Sequence, residues 1–508
     1  MDSRTQNSIR NVLFSEAAYV VILLLQFVNR SIFIQMLSDD YLALNGLFSN
    51  VLAVLSLAEL GIGSAINFAM YKPLKENDIE TVKSLMMLYR RLYKIIGILV
   101  LTLGSVLAPF LKYLIKDMPT NMPNIYLYFI LYLLNSGITY FCAYKRALII
   151  CDQKEYITTI TSTLFRILLL ILQITILVIS QNYTLYLSVM IMTSVLENLV
   201  ISLIADKIYP FLKDREVRKL DSVIAKNISK NVYALIFQRI GEVIVYATDD
   251  IIISKYVNFA SVGLYSNYSM LIQAVQTAAY RFFDAVTASI GNLAVTRDKE
   301  HVEKILYRIL FLNAWMFSFC SVGLLCLLQP FIRIWIGSEY LLSDTTMLVI
   351  VINFYLEGMR ATMVTFKRAT GLFWQSRYKA IAEGALNLVL SIPLAVHFGV
   401  AGTLMGTIIS TSCISAIVEP YALFRYYFHK GFYQFMREQL KYAVITIGIA
   451  VLTIAACRMV NMDSLLAFVI QMGLCLMVPN LCMGIIFWKD ENFIYFRRHI
   501  KQFALFKK

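Results

Sequence analysis

The pentapeptide Gly46-Leu-Phe-Ser-Asn50 recurs in the second half of the chain as Gly263-Leu-Tyr-Ser-Asn267, with one aromatic residue exchanged for another. Four more short motifs recur in the same order and at nearly the same separation. The matched pairs are Asn11-Val12 with Asn231-Val232, Leu92-Tyr-Lys94 with Leu306-Tyr-Arg308, Pro109-Phe-Leu-Lys112 with Pro330-Phe-Ile-Arg333, and Lys145-Arg-Ala147 with Lys367-Arg-Ala369. Self-similarity at a nearly fixed offset is the signature of repeated architecture. The sequence therefore predicts an internal duplication.

The composition indicates a polytopic helical membrane protein. The 508 residues are 59% hydrophobic and 15% charged, whereas soluble domains average about 25% charged residues. Uncharged runs of about 20 residues recur, each long enough to cross a bilayer core of about 30 Å. These runs lack the alternation of a membrane β-barrel. We predict an all-α fold with about fourteen transmembrane helices, over residues 12–35, 42–70, 94–116, 125–146, 157–180, 184–205, 231–254, 263–293, 308–336, 345–366, 380–398, 402–425, 441–459 and 465–488.

The basic residues predict the topology of these spans. With both termini assigned to the cytoplasm, 36 Lys and Arg residues lie on the cytoplasmic side, 5 on the outer side and 5 within spans. Cytoplasmic loops of membrane proteins carry such an excess. The net charge of +14 therefore reflects topology, and we expect no nucleic-acid partner.

The duplication, applied to the spans, predicts the domain organisation. Spans 1–6 repeat as spans 7–12, and because six is even the two copies have the same orientation. We predict an N-lobe over residues 1–205, a basic cytoplasmic linker over 206–230, a C-lobe over 231–425, and two additional spans with a cytoplasmic tail over 441–508. Two six-helix lobes in the same orientation are expected to face a central cavity and to work by alternating access.

Ionisable side chains within the spans are candidate functional residues, because a charge is costly in lipid. Three pairs are spaced i,i+3 on one helix face, which favours contact within each pair. They are Arg239 with Glu242, Arg281 with Asp284, and Glu357 with Arg360. Each pair either serves function or neutralises itself and only stabilises the bundle.

A second group of charges is interpreted through the repeat. Arg30 on span 1 corresponds to Asp250 on span 7, and at about 1.5 Å per residue both lie near the outer leaflet. We hypothesise that Arg30 pairs with Asp249 or Asp250 to close an outer gate. The alternative is that these side chains simply reach the outer surface.

Four more charges lie in or beside the spans. Glu197 and Glu419 correspond to each other under the repeat, near the inner ends of spans 6 and 12. We expect them to hold loop contacts rather than substrate. Glu59 lies in the middle of span 2 and Arg166 is alone in span 5, and either can line the cavity.

The remaining motifs predict no catalytic centre. The sequence has no Walker A motif, no nucleophile–base pattern and no metal-ligand spacing among its four histidines. Its eight cysteines lie in or beside apolar runs without a Cys-x-x-Cys pair, so we interpret them as packing residues. Gly402-x-x-x-Gly406 permits close helix packing. We therefore expect a protein that is not an enzyme, with no catalytic residue, no metal site and no cofactor.

Several stretches carry a family resemblance. They are Gly46-Leu-Phe-Ser-Asn50, Leu57-Ala-Glu-Leu-Gly-Ile-Gly-Ser-Ala-Ile66, Tyr71-Lys-Pro-Leu74, Thr248-Asp-Asp-Ile-Ile-Ile-Ser254, Gly263-Leu-Tyr-Ser-Asn-Tyr268 and Ser289-Ile-Gly-Asn-Leu293. Together they resemble the Wzx-type polysaccharide repeat-unit flippases of the multidrug/oligosaccharidyl-lipid/polysaccharide exporter superfamily, from about residue 8 to residue 430. The resemblance implies two facing six-helix bundles in the bacterial cytoplasmic membrane. It also implies transfer of an undecaprenyl-pyrophosphate-linked oligosaccharide to the outer leaflet, for capsule, exopolysaccharide or O-antigen assembly.

The implied partners are the lipid-linked oligosaccharide, membrane lipid, the polysaccharide polymerase and other assembly proteins. Two alternatives stay open: a lipid II flippase, whose branch also has two additional helices, and a cation-coupled multidrug exporter. A membrane glycosyltransferase or polymerase is disfavoured, because the outer loops are short.

We expect arginines to bind the pyrophosphate of the implied substrate, because the planar guanidinium can donate two hydrogen bonds to phosphate oxygens at once. The candidates, in falling order, are Arg30, Arg281, Arg239, Arg166 and Arg360. The candidates for a gate or for a coupling cation, either a proton or sodium, are Asp249, Asp250, Asp284, Glu59, Glu242 and Glu357.

Overall fold

The computed structural model describes residues 3–59, 61–116, 124–214, 218, 220–372, 377–460 and 465–505. Every long regular element in this part of the chain is a helix, and none of the described residues lies in a strand. The predicted all-α polytopic fold is confirmed.

Contacts divide the chain into two compact units, residues 1–263 and 264–508. The helices of the first unit are α1 (Ser3–Met36), α2 (Asp39–Leu55), α3 (Ile62–Lys75), α4 (Ile79–Leu107), α5 (Ile125–Cys151), α6 (Glu155–Ser180), α7 (Tyr183–Ile208), α8 (Ser222–Ala247) and α9 (Asp249–Ile252). Within it α5 packs against α4 and α7, and α6 packs against α1 and α7. Because α8 packs against α2 and α3, residues 222–257 belong to this unit by contact. The predicted lobe boundary at 206–230 concerns the sequence repeat and stays a prediction.

The second unit contains the other long helices. They are α10 (Phe259–Thr296), which begins just before the boundary, α11 (Lys299–Trp335), α12 (Asp344–Thr370), α13 (Lys379–Ser410), α14 (Ala416–Leu423), α15 (Tyr433–Arg458), α16 (Leu465–Ile486) and α17 (Glu491–Leu505). Here α11 packs against α12, α15 and α16, so the two spans outside the predicted repeat lie against α11.

Ten helical segments in the described residues are long and apolar enough to cross a membrane, and the chain is a multi-pass membrane protein. Large apolar side chains on these segments are exposed, for example Leu164 on α6 and Val444 on α15, as contact with lipid requires. The elements at predicted spans 2, 7 and 8 are not among the ten. These are the segments that carry Glu59, Arg239 and Arg281.

Predicted span 2 is not one continuous helix. A 3₁₀ turn, Ser56–Glu59, follows α2, and α3 begins after Gly61, whose φ of 72° is left-handed. Glycine adopts this conformation without steric penalty. Helix breaks at membrane depth occur in transporters where the backbone lies at a polar site. The break therefore marks the surroundings of Glu59 as a candidate site.

Helix α13 contains a sharp reversal at Gly399, where φ is 61° and ψ is −139°. The residues before and after it form an antiparallel pair, because Ser391 Oγ donates to the Thr403 carbonyl at 3.0 Å and Asn387 Nδ2 donates to Thr407 Oγ1 at 2.9 Å. A Cβ atom at Gly402 or at Gly406 would overlap the facing helix backbone. The predicted close packing at these two glycines is confirmed.

Candidate functional site

The repeated pentapeptide builds a cradle for a buried carboxylate in the first unit. Asn50 Nδ2 donates to Asp250 Oδ2 at 2.7 Å. Gly46 lies one helical turn before Asn50, and a Cβ atom there would lie 3.1 Å from the same oxygen. Because residues four apart share one face of a helix, both ends of the motif point at Asp250. Asp250 is only 8% exposed.

The backbone around Asp250 is irregular. Helix α8 ends at Ala247, α9 begins at the half-buried Asp249, and a π-helical turn over Ile253–Val257 follows. This turn is bound to the stretch of chain that follows α4. Ser254 Oγ donates to the Leu114 carbonyl at 2.8 Å, and Lys116 N donates to the Ser254 carbonyl at 3.0 Å. Irregular turns of this kind are frequent at functional sites.

A second carboxylate lies at the break between α2 and α3. The Tyr93 hydroxyl donates to Glu59 Oε1. Gly63 faces this pair, and a Cβ atom there would lie 2.9 Å from the Tyr89 hydroxyl and 3.1 Å from Glu59 Oε1. Tyr140 interacts electrostatically with both Glu59 and Arg239. Glu59 is thus surrounded by tyrosines, which sequence reasoning did not single out.

Two candidate arginines meet at one tyrosine in the first unit. Arg30 is half-buried beside Tyr132 and Tyr186, and Tyr186 also interacts electrostatically with Arg166. The Tyr186 hydroxyl accepts a hydrogen bond from Asn29 Nδ2 at 3.2 Å. Hence α1 and α6 present a cationic surface, formed by the half-buried Arg30 and the exposed Arg166, around the buried Tyr186 of α7.

Further tyrosine hydroxyls near this surface contact α2. Tyr132 and Tyr183 both donate to Asn45 Oδ1, and the latter distance is 2.6 Å. The rings of Tyr183 and Tyr186 lie 6.0 Å apart and nearly parallel. The pairing of Arg30 with Asp249 or Asp250 stays a hypothesis. In this structure Asp250 accepts a hydrogen bond from Asn50.

The second unit holds a buried network of five charged side chains. Glu419 Oε1 lies 3.0 Å from Lys379 Nζ, 3.3 Å from Lys367 Nζ and 3.3 Å from Arg360 Nη2. Glu383 lies 3.1 Å from Lys379 Nζ and 3.8 Å from Arg360 Nη1. No member has more than 12% of its side-chain area exposed, and three formal positive charges face two negative ones.

Glu419 thus binds three cations on α12 and α13, although the sequence predicted a loop contact. Its repeat counterpart in the first unit, Glu197, pairs with Arg146 at 2.6 Å and accepts from Ser162 Oγ at 2.8 Å. The Glu197 carboxylate is 22% exposed, against 2% for Glu419. Both copies of the repeat therefore use this glutamate to bind neighbouring helices.

Two other candidates in the second unit, Glu357 and Asp284, have different surroundings. Glu357 accepts from Gln276 Nε2 at 3.0 Å and interacts electrostatically with Arg360. Asp284 is exposed and lies 3.9 Å from the exposed Arg368, and such surface pairs contribute little.

Two predicted arginines and one glutamate complete the set. Arg281 is half-buried on α10 and Arg239 is exposed on α8. The side chain of Glu242 lies outside the described residues.

Comparisons with known proteins agree with this architecture. No protein-family model matches the sequence, and no curated protein sequence matches it significantly. Among solved structures, the chain is similar to the lipid II flippase MurJ in an inward closed conformation, with a TM-score of 0.67, 14% identity, and coverage of 94% of this chain and 99% of that one. The chain shares its fold with this flippase.

Two MATE transporters show the same fold. A multidrug resistance MATE family transporter of the MOP superfamily, in an inward-facing conformation, matches with a TM-score of 0.61 and 16% identity over 80% of this chain and 97% of that one. A variant of the Vibrio cholerae MATE transporter VcmN matches with a TM-score of 0.57 and 15% identity over 85% of this chain and all of that one. These neighbours are transporters, and at such identities the likeness concerns the fold.

Proposed function

We propose that the chain is a flippase that moves an undecaprenyl-pyrophosphate-linked oligosaccharide from the inner to the outer leaflet of the bacterial cytoplasmic membrane. It works by alternating access and serves capsule, exopolysaccharide or O-antigen assembly. The observation that carries the proposal is the cationic surface of Arg30 and Arg166 around the buried Tyr186, within the membrane-spanning part of the first unit.

This surface suits the chemistry of the substrate head group. A guanidinium binds pyrophosphate oxygens through several donors at once, and its attraction is stronger where water is scarce. The half-buried Tyr132 can offer a ring and a hydroxyl to sugars, whereas the buried Tyr183 and Tyr186 hold Asn45 and Asn29 in place. The polyprenyl tail would stay in lipid, against the exposed apolar side chains.

The coupling cation is proposed to act at carboxylates whose hydrogen-bond partners are neutral. Asp250 is bound by Asn50 and Glu59 is bound by Tyr93. A neutral donor does not cancel the negative charge of a carboxylate that is partly or wholly removed from water, so such a site gains from taking up a proton or a sodium ion. Glu419, by contrast, already has three cationic neighbours. We place the coupling site at Asp250 or Glu59 on this ground.

A lipid II flippase is the second candidate function. It is favoured by the match to MurJ, which extends over 94% of the chain, whereas the match to the inward-facing MATE transporter covers 80%. Both candidates carry a polyprenyl-pyrophosphate saccharide. For both candidates we propose that the two termini are cytoplasmic. For the oligosaccharide flippase we also propose the polysaccharide polymerase and other assembly proteins as partners.

Translocation between leaflets in proteoliposomes tests the proposal. The substrates are a fluorescent polyprenyl-pyrophosphate oligosaccharide and lipid II, and the variants are Arg30→Ala and Arg281→Ala. Arg458→Ala, at the exposed end of α15, is the matched control. We expect transport of the oligosaccharide by the wild type and the control, and its loss in Arg30→Ala with folding intact.

Each contrary result has a defined meaning. Transport of lipid II alone would favour the second candidate. Efflux of an organic cation without transport of either lipid would refute both and indicate a cation-coupled multidrug exporter.

A further inference from the structure

Three cysteines from three different helices meet in the second unit. They are Cys326 on α11, Cys457 on α15 and Cys475 on α16, and their Sγ atoms all lie within 4.8 Å of one another. The closest measured pair, Cys457 and Cys475, is 3.9 Å apart. Both of these side chains are buried. Since Cys326 is far from the other two in sequence, only the tertiary fold brings the three together.

The surroundings hold this triad in position. Helix α11 packs against both α15 and α16, and α15 packs against α16. Gln471 Nε2 donates to the Cys457 carbonyl at 3.3 Å, which fixes the end of α15 against α16. The thiols therefore lie where the two spans outside the predicted repeat contact the rest of the second unit.

We propose that Cys326, Cys457 and Cys475 form a binding site for a soft monovalent metal ion of the copper(I) class. Thiolates are soft ligands that select copper(I) and zinc over hard cations. Three sulfurs around one ion at about 2.3 Å would lie about 4.0 Å from one another in a trigonal arrangement. The sulfurs of Cys457 and Cys475 are already at that separation, and Cys326 needs to move by less than about 1 Å.

Coordination number favours a monovalent ion over zinc. Structural zinc takes four ligands in a tetrahedron, and this group offers three. Cysteine binds a metal ion as the thiolate, so each thiol that forms a metal–sulfur bond loses its proton to water. Binding therefore releases protons, and their number counts the thiolates that hold the ion.

The site also has a route to water. Cys457 is one residue from the end of α15, and the next residue, Arg458, is exposed. An ion can enter at this end without crossing the bundle. Once bound, it would link α15 and α16 to α11.

Competition with a chromophoric copper(I) chelator tests the site. The full-length protein is purified in detergent, reduced and kept free of oxygen. We expect the wild type to withdraw one equivalent of copper(I) and to release protons as it binds. Removing one sulfur by Cys475→Ala or Cys326→Ala should weaken binding at least tenfold, since changes even beyond the ligands cost about 10–100-fold. Cys482→Ala on α16 and Cys320→Ala on α11 are matched controls and should bind as the wild type does.

A measurement on the wild type avoids any dependence on how the variants fold. One equivalent of silver(I), which binds as copper(I) does without redox chemistry, is added before alkylation of the cysteines. A second sample is treated in the same way without silver, and both are alkylated in denaturant, so that burial alone protects no cysteine. Peptide mapping should find Cys326, Cys457 and Cys475 protected only in the silver-loaded sample, and the exposed Cys413 alkylated in both. Protection spread evenly over the eight cysteines would overturn the proposal and leave them as packing residues. A disulfide between Cys457 and Cys475 in protein isolated without reductant would overturn it as well.

Discussion

Replacing Glu419 by glutamine should destabilise the protein by about 3–5 kcal/mol, the usual cost of removing one partner from a buried ion pair. The substitution keeps the shape of the side chain and removes its charge. Arg360, Lys367 and Lys379 would then share one carboxylate, that of Glu383. At contacts of about 3.3 Å and an effective dielectric constant of about 20, each lost attraction is worth about 5 kcal/mol before desolvation.

The first unit offers a matched comparison. Glu197→Gln removes the repeat counterpart, whose carboxylate is 22% exposed and pairs with one arginine, Arg146. Water can solvate the arginine that remains, so we expect a loss of about 1 kcal/mol or less. The difference between the two losses reflects both the deeper burial and the larger number of cations at Glu419.

The assay is reversible unfolding in mixed micelles, followed by tryptophan fluorescence, for the wild type and both single variants. The single variant Lys367→Met and the double variant Glu419→Gln with Lys367→Met complete a double-mutant cycle. Removing one uncompensated ammonium should recover part of the stability lost by Glu419→Gln. Equal losses for Glu419→Gln and Glu197→Gln, or no recovery in the double variant, would refute the reasoning.

Three further predictions use other parts of the structure. Gly406→Val should destabilise the α13 hairpin by about 1–3 kcal/mol or more, since the valine side chain would overlap Ser391 of the facing helix. Thermal unfolding measures this loss. The control is Gly448→Val, because a Cβ atom at Gly448 meets nothing within 4 Å. Asp250→Asn should keep the fold but abolish the dependence of transport on a proton or sodium gradient, and an unchanged gradient dependence would exclude Asp250 as the coupling site. Gly46→Ala should weaken transport through its contact with the Asp250 carboxylate, and activity equal to that of the wild type would show that the cradle tolerates a methyl group.

The duplication allowed part of this architecture to be predicted from sequence. The matched glutamates at 197 and 419 follow from the repeat alone, and each binds a basic residue of the matched Lys-Arg-Ala motif, Arg146 or Lys367. The helix break beside Glu59 could also have been predicted, because Gly61-Ile-Gly63 places two glycines close together within a span. Its left-handed glycine shows why the sequence has a glycine there.

Convergence in three dimensions could not be predicted. Lys379 and Glu383 are spaced i,i+4 at the start of a span, a pattern typical of a solvated helix end, yet both are buried because Arg360 and Glu419 from other helices face them. The cysteine triad is invisible for the same reason, since its members have no local spacing in common. Sequence periodicity reports the face of one helix, and these sites depend on three.

The two kinds of buried carboxylate in this fold imply two different roles. Glu419 and Glu383 face three cations, so adding a proton or a metal ion there would oppose charges that are already present. The buried Asp250 and the half-buried Glu59 accept hydrogen bonds from an amide and a phenol, which are neutral donors, so we propose that a mobile cation acts at one of them. Because the first copy of the repeated pentapeptide supplies both Gly46 and Asn50 to Asp250, the motif from which we predict the duplication also builds the carboxylate site that we propose for coupling.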